Sequence, residues 1–482
     1  MAIGITRFGA YIPRLRLPRA AIAEANAWYN PGLKGMAKGE RCFANWDEDA
    51  ITMAVEAARD TLGESSRDDV GQLVMASTTF PFADRQNSVV VKEALNLPDA
   101  VAAMDVAGSQ RAGTSALRAA CLGSGGPTLV VAAEKRAAKV AGEAEMTTGH
   151  AAAAFLIGED PVAEFLGAHS TAVDMVDHYR SSGEDYDYNW ESRWVREIGF
   201  GEIVPNAVKE ALSRLSLKAS EIAHLVVAGP SGIGARVAAQ SGISATAVAD
   251  TLAATMGDSG TAHPLLLLAD VLERARPGEI IVVVGFGQGC DVLAFRATDR
   301  IGSVRPLLGV RGWLARRAEM RNYARYLALT GALDIERGIR AELDQQTAAT
   351  VLYRNRKAVL GLIGGRCTKT GTVQFPMTRV SVARNAHEID TQEPYPLADL
   401  PGKVLTFTAD RLAYNPNPPL YFGTVQFDGG GRLTADFTDV DEGAVDVGMR
   451  TRMMFRIRAV DEVRGFTKYF WKAAPAFNAK VA

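Results

Sequence analysis

The sequence predicts a layered α/β protein of duplicated design followed by a small β-barrel. Three observations carry that prediction. Over roughly the first 300 of 482 residues, short β-branched runs alternate with alanine-rich helical stretches, as in layered α/β folds. The order of strand, small-residue turn and buried helix occurs in both halves of that stretch, although no literal repeat is visible. After about residue 330 the pattern turns to proline, glycine and alternating strands.

In the first half, "DEDAITMAVEAARDTL" (47–62) sets Ile51, Ala54, Val55 and Ala58 at helical spacing behind acidic residues that suit a helix N-terminus. A buried strand follows in "VGQLVMAST", a helix in "SVVVKEALNL", a strand in "VAAMDVAG" and a buried helix over 112–122. "PTLVVAAEK" reads as a strand and "AAAAFLIGEDPVAEFLG" as a hairpin. The grammar returns with "GEIVPNAVKEALSRLSL" as helix, "IAHLVVAG" as strand and "HPLLLLADVLERA" as helix. "GEIIVVVGFGQGCDVLAF" then gives strand, glycine turn, strand. A polar linker with a helix leads into five or so short strands, among them "GKVLTFTAD" and "MRTRMMFRIRAVDEV". These patterns divide the chain into 1–165, 166–335 and 336–482.

Composition narrows the function. With 53 basic and 55 acidic residues the net charge is -2, which argues against nucleic acid or an anionic membrane as partner. No apolar stretch has the length of a signal peptide or approaches the ~20 residues of a membrane span, so a cytoplasmic protein is expected. Cys42, Cys121, Cys290 and Cys367 show no paired spacing, and no disulfide framework is expected.

Three segments, "DEDAITMAVEAA", "DVAGSQRAGTSAL" and "RPGEIIVVVGFGQGCDVLAF", resemble those of HMG-CoA synthases and of ketoacyl-ACP synthase III, members of the thiolase superfamily. The likeness extends over roughly 1–330. The C-terminal part resembles the zinc-ribbon and OB-fold companion proteins of thiolase-like enzymes, through "GGRCTKTGTVQFP", "PPLYFGTVQF" and "GFTKYFW". In the resembling enzymes a cysteine at the head of a buried helix attacks an acyl-CoA, histidine and asparagine assist carbanion formation, and backbone N–H groups hold the thioester oxyanion.

Counting from Asp105, or back from Ala112-Gly113-Thr114, places that cysteine at Gln110. An amide cannot attack a thioester. The glutamate of the early-strand turn falls on Thr78 or Thr79, the histidine on Ala228 and the asparagine on Asp258. The resemblance therefore implies an altered site, with Gln110 hydrogen-bonding a bound thioester and backbone donors at Gln110 and Gly287. Asp258, then His263, are expected to move the proton; the plain alternative for His263 is a helix cap. The aromatic stretch "VDHYRSSGEDYDYNWESRW" supplies Tyr179 as an acid or base, and Tyr186, Tyr188 and Trp190 with Thr78 and Thr79 as substrate-binding residues. Its default reading is a surface loop packed on a neighbour. Arg111 is left unassigned. His224 reads as a strand-end residue, and His150, His169 and His387 have no evident partner.

Companion proteins carry four zinc ligands, of which Cys367 alone survives here, Thr370 standing at the second position; no metal is expected. The expected activity is making or, rather, breaking a carbon–carbon bond in a 3-oxo- or 3-hydroxyacyl-CoA with a bulky or aromatic acyl group, a catabolic retro-Claisen or retro-aldol step without a catalytic cysteine. Coenzyme A enters as substrate or product thioester. The alternatives are a CoA-dependent acyltransferase that converts a 3-oxo acid to acyl-CoA, and a non-catalytic scaffold for a thiolase partner. A homodimer through the thiolase-like domain is expected, with the barrel shaping the acyl or CoA channel.

Overall fold

The computed structural model describes residues 2–123, 126–189, 191–336 and 349–477. The chain forms two compact units. The first comprises Met1–Ala44, Asp49–Val89 and Pro98–Tyr326; the second comprises Asn45–Glu48, Val90–Leu97 and Leu327–Ala482. The predicted boundary near 335 falls beside residues outside those described.

A nine-stranded sheet organises the first unit. Its strands are β1 (Ile3–Tyr11), β2 (Gln72–Ala76), β3 (Ala102–Val106), β4 (Thr128–Glu134), β5 (Ala151–Glu159), β6 (Ala163–Ala172), β7 (Ile222–Val227), β8 (Ile280–Phe286) and β9 (Gly289–Ala297). Their spatial order is β7-β8-β9-β6-β1-β5-β4-β2-β3. The duplication is legible in that order. From the β3 edge the first half runs third, second, fourth, fifth, first strand; from the β7 edge the four strands of the second half, counted with the third place left empty, run second, fourth, fifth, first. Parallel and antiparallel pairings repeat as well: β2–β4 and β7–β8 are parallel, whereas β4–β5, β5–β1, β8–β9 and β9–β6 are antiparallel. Where a third strand of the second half would lie, Leu225 makes one isolated bridge to Val248.

One local expectation changes. β5 and β6 are consecutive, yet they do not pair as a hairpin, because β1 lies between them and bonds to both. Alternating hydrophobicity marks a strand but carries no information about which neighbour it takes.

Two helices are buried on every side: α1 (Ala50–Leu62) and α4 (His263–Leu272). Burial on every side places both between layers, and the charged groups they carry inward are paired, as Arg59 is with Glu56 at 3.0 Å. Asp49 caps α1 by accepting from the Thr52 N–H at 2.9 Å, while the Thr52 hydroxyl accepts from the Asp49 N–H at 2.9 Å. Between them in sequence come α2 (Ala112–Leu122) and α3 (Val204–Arg214). Residues Val195–Ile203 before α3 are wound as a π-helix, where the sequence predicted an ordinary helix from Gly201.

The second unit opens with a three-stranded ribbon of β10 (Ile363–Cys367), β11 (Val373–Gln374) and β12 (Gln392–Pro396). Hydrogen bonds tie its turns. Cys367 Sγ lies 3.2 Å from Thr391 Oγ1 and accepts from the Thr370 N–H. The Gln374 amide donates to Thr378 and Val380 and accepts from the Val382 N–H. Among the described residues no group of three or more His, Cys, Asp or Glu is placed to hold a metal ion. Five antiparallel strands follow: β13 (Gly402–Asp410), β14 (Leu420–Phe427), β15 (Arg432–Asp436), β16 (Arg450–Asp461) and β17 (Phe466–Pro475), in the order β15-β14-β13-β16-β17. A bridge from Phe437 to Ala473 closes them into a barrel around Val404, Val425, Met453, Phe455 and Trp471. Within this unit, buried Lys472 meets Asp47 at 2.8 Å, and Arg456 meets Glu48 and Asp439 at 3.2 Å each. Removing one partner of such a buried pair costs about 3–5 kcal/mol. No described helix is long and apolar enough to cross a membrane.

Candidate active site

The site lies in the first unit, at the carboxyl ends of β2, β3 and β4. Strand β3 runs into the loop 107–111 that starts α2, so Gln110 stands at the head of a helix whose body is buried. Asp105, the first residue of the motif, accepts from the Asn87 and Ser88 N–H groups at 2.8 Å each and so caps the helix over Asn87–Ala94.

Glycines set the spacing around α2. A Cβ on Gly113 would lie 2.4 Å from the Thr261 carbonyl, and one on Gly285 would lie 2.0 Å from Thr114 Oγ1. A Cβ on Gly287 would approach the backbone nitrogens of Gln110 and Arg111 to 3.1 Å. The glycines are thus required by close packing, and their retention alone does not argue for chemistry. Arg111 gains a role: its guanidinium donates to the Gly287 carbonyl and to buried Asp291, locking the glycine turn to α2. Asp291 also accepts from Thr114, Ser115 and Ser170.

A cleft of about 480 Å³ opens in front of Gln110. Thr78, Phe80, Phe82, His178, Tyr179 and Arg180 are among its walls. The Gln110 amide nitrogen donates toward Thr78 Oγ1 at 3.5 Å and lies 3.2 Å from His178 Nε2; the amide oxygen is buried with no hydrogen-bond partner. Behind Thr78 lies Glu134, at the end of β4 and fully buried. Its carboxylate accepts from the Thr78 N–H at 3.1 Å, the Thr78 hydroxyl at 3.0 Å and the Thr79 hydroxyl. Burial pushes the Glu134 carboxyl above the usual range, opposed by these donors and by the nearby Arg136 charge. Arg136 in turn grips Asp187 at 2.7 Å, and Arg180 bonds Asp187 and the Thr78 carbonyl.

The other sequence-predicted residues are placed as follows. The carboxylate of Asp258 accepts from the Gly260 N–H at 2.7 Å within its own turn, and Asp258 is not a wall of the cleft. His263 is buried with Nδ1 at 3.2 Å from Ser259 Oγ and Nε2 at 3.0 Å from the Thr251 carbonyl; both ring nitrogens hold the loop. The structure brings neither to the cleft. Tyr179 lines it, half-exposed, with its ring 5.3 Å from that of Tyr188, which pairs with it across a two-residue ladder. Tyr186 sits under Lys139, and Trp190 lies outside the described residues. Of the two expected backbone donors, the Gln110 N–H has no partner among the described residues, whereas the Gly287 N–H donates to the Gly289 carbonyl at 3.1 Å. All four cysteines are buried and none lines the cleft.

Sequence reasoning missed two residues, His178 and Glu134. His178 carried a signal, a histidine directly after an aspartate in "DHYR". Glu134 carried none beyond its place at the end of an apolar strand.

The strand order, the buried helices and a site at the head of α2 define a thiolase-like fold, joined to an OB-fold barrel. Residues 394–456 match the family described as ChsH2, C-terminal OB-fold domain. The first part of the chain is similar to hydroxymethylglutaryl-CoA synthases. That of Aeropyrum pernix is 29% identical over 347 residues, covering 69% of this chain and 96% of the relative; that of Methanosarcina mazei is 29% identical over 348, covering 69% and 99%. Among solved structures, HMG-CoA synthase complexed with CoA aligns with TM-score 0.59 at 16% identity, covering 72% of this chain and 95% of that one. FabH of Pseudomonas aeruginosa, a 3-oxoacyl-(acyl carrier protein) synthase III, aligns with TM-score 0.55 at 21% identity, covering 62% and 99%.

Proposed function

We propose that this chain is a CoA-thioester enzyme that makes or breaks a carbon–carbon bond in a 3-oxo- or 3-hydroxyacyl substrate without forming an acyl-cysteine. The observation that carries the reading is Gln110 at the head of α2, facing the cleft among hydrogen-bonding groups, with every thiol buried elsewhere. Structures similar in fold are complexes with CoA or 3-hydroxy-3-methylglutaryl-CoA, which supports a thioester as ligand. A thioester enolate would be met by the unpartnered Gln110 N–H and the Gln110 amide, donors of the kind that lower the barrier to carbanion formation. The cleft's Phe80, Phe82 and Tyr179 suit a bulky or aromatic acyl group. Asp258 and His263 serve best as positioning residues that hold the loop beside Gly260.

A homodimer belongs to the same reading. β3 is an edge strand paired only with β2, and Met104 on it is exposed; a second copy would satisfy the open edge. The test is to incubate the purified chain alone with panels of 3-hydroxyacyl-CoA and 3-oxoacyl-CoA. Turnover by the chain alone supports the proposal. Turnover that appears only on adding CoA and a free 3-oxo acid favours acyl transfer, and turnover that needs a second protein favours the scaffold.

A further inference from the structure

One pair in the cleft wall is not used by the reading above. His178 Nδ1 lies 2.6 Å from Asp177 Oδ2, and the other carboxylate oxygen of Asp177 is buried with no hydrogen-bond partner. Asp177 therefore directs its charge to a single imidazole N–H. That bond places the proton on Nδ1 and the lone pair on Nε2. Nε2 faces the Gln110 amide nitrogen at 3.2 Å, and the same nitrogen reaches Thr78 Oγ1, so both partners agree on which way the amide points.

We propose that His178 is the proton-transferring base of this site, positioned by Asp177, and that the substrate is a 3-hydroxyacyl thioester cleaved by a retro-aldol step. This assignment rests on the carbon–carbon bond reading and narrows it. His178 Nε2 takes the proton of the 3-hydroxyl, and the O–H electrons form the C3 carbonyl. The C2–C3 bond breaks, and its electrons pass into the thioester as an enolate. C2 then takes the proton from Nε2. The products are an aldehyde or ketone and a shortened acyl thioester, with no oxidant, reductant or water consumed. A 3-oxo substrate would instead need a nucleophile at C3, and the chain's own thiols are buried away from the cleft.

Glutamine at position 110 suits both protonation states of such a base. Its nitrogen donates to neutral Nε2. After a half-turn, its oxygen accepts from the imidazolium N–H. That oxygen is without a partner in the structure, so the half-turn breaks no existing bond of its own. Alanine offers neither contact, and cysteine only a weak donor and a weak acceptor.

The experiment uses the full chain in D₂O with two probes. A saturated acyl-CoA reports deuterium uptake at C2 by mass spectrometry, and a 3-hydroxyacyl-CoA reports release of a carbonyl product. The wild type is expected to do both. His178→Gln is expected to lose both by about 10²–10⁴-fold while still binding acyl-CoA. Asp177→Asn, which leaves the imidazole in place, should lower kcat with little change in KM, and it tests the claim should His178→Gln not fold. Exchange and cleavage at the wild-type rate in either variant overturn the assignment of His178. A wild type that neither exchanges nor cleaves any thioester overturns the carbon–carbon bond reading itself.

Discussion

Residues 199–229 and residues 177–187 lie in the same unit and show opposite treatments of polar chemistry. In the first region, the position that resembles the condensing enzymes' histidine is Ala228, and the space beside it is filled with rings. Phe200 packs on Gly229, where a Cβ would sit 3.0 Å from the ring, and lies tilted against Phe286 with ring centroids 4.7 Å apart, Phe286 itself being pressed against Gly199. In the second region, Asp177, His178, Arg180 and Asp187 form a hydrogen-bonded wall that reaches Gln110 and Thr78. Where the resemblance would put an imidazole the chain carries alanine next to packed rings, and an imidazole with its own carboxylate stands in the cleft wall instead. The contrast shows that loss of the expected residues need not leave a cleft without proton-moving groups, because a fold with a deep cleft offers several loops from which to supply them.

The contrast can be broken most forcefully from the apolar side. Phe200→Ala removes a buried ring and should destabilise the unit by about 3–5 kcal/mol, read by chemical denaturation. A loss below about 1 kcal/mol would mean that the rings are not packed as described. Next in size is Gln110→Ala, which removes the amide that meets His178 and Thr78. Turnover should fall about 10²–10³-fold with stability little changed, and unchanged turnover would leave Gln110 without a chemical role.

Restoring the old residue is the converse test. Ala228→His adds a ring next to Gly229, on which Phe200 packs, and should cost about 1–3 kcal/mol by overpacking, with no gain in activity. A gain would show that the original seat is still open. The smallest effect is one of sign. Burial holds the Glu134 carboxyl above the ordinary range in the folded chain, so the folded state binds the proton more tightly than the unfolded state. Its contribution is fully present below the unfolded carboxyl's range near 4.5 and is lost as pH rises through the folded value; each unit of displacement is worth about 1.4 kcal/mol. Urea midpoints measured at pH 5 and pH 8 should therefore fall more for the wild type than for Glu134→Gln. Parallel falls would contradict the burial argument.

Much of the architecture was legible because its signals are local. The helix over 112–122, the glycine turn before Gly289 and the capped helix after Asp49 all announce themselves within a dozen residues. The duplication and the closing barrel followed from the order of such signals. The seat of Gln110 was readable for the same reason, since two counts along one motif converge on it. The pairing of β5 and β6 with β1 was not readable, because strand partners are chosen over distances that periodicity does not encode. The chemistry of the cleft fails the same way. Gln110 meets His178 across 68 residues, and Thr78 meets Glu134 across 56, so neither link leaves a spacing to find. Asp258 and His263 are a different case: their loop looked chemical in sequence because it resembles the segment that carries the condensing enzymes' catalytic asparagine. In the structure those groups bond the turn itself, as short-range polar side chains commonly do.

The central claim is that this cleft handles a thioester through hydrogen-bonding groups around Gln110 and never through a covalent acyl-cysteine. Intact-protein mass spectrometry on samples quenched during turnover of a 3-hydroxyacyl-CoA tests it most directly. The account predicts the unmodified mass of the chain at every time point. A transient mass increase equal to the acyl group, mapped to Cys42, Cys121, Cys290 or Cys367, would contradict it.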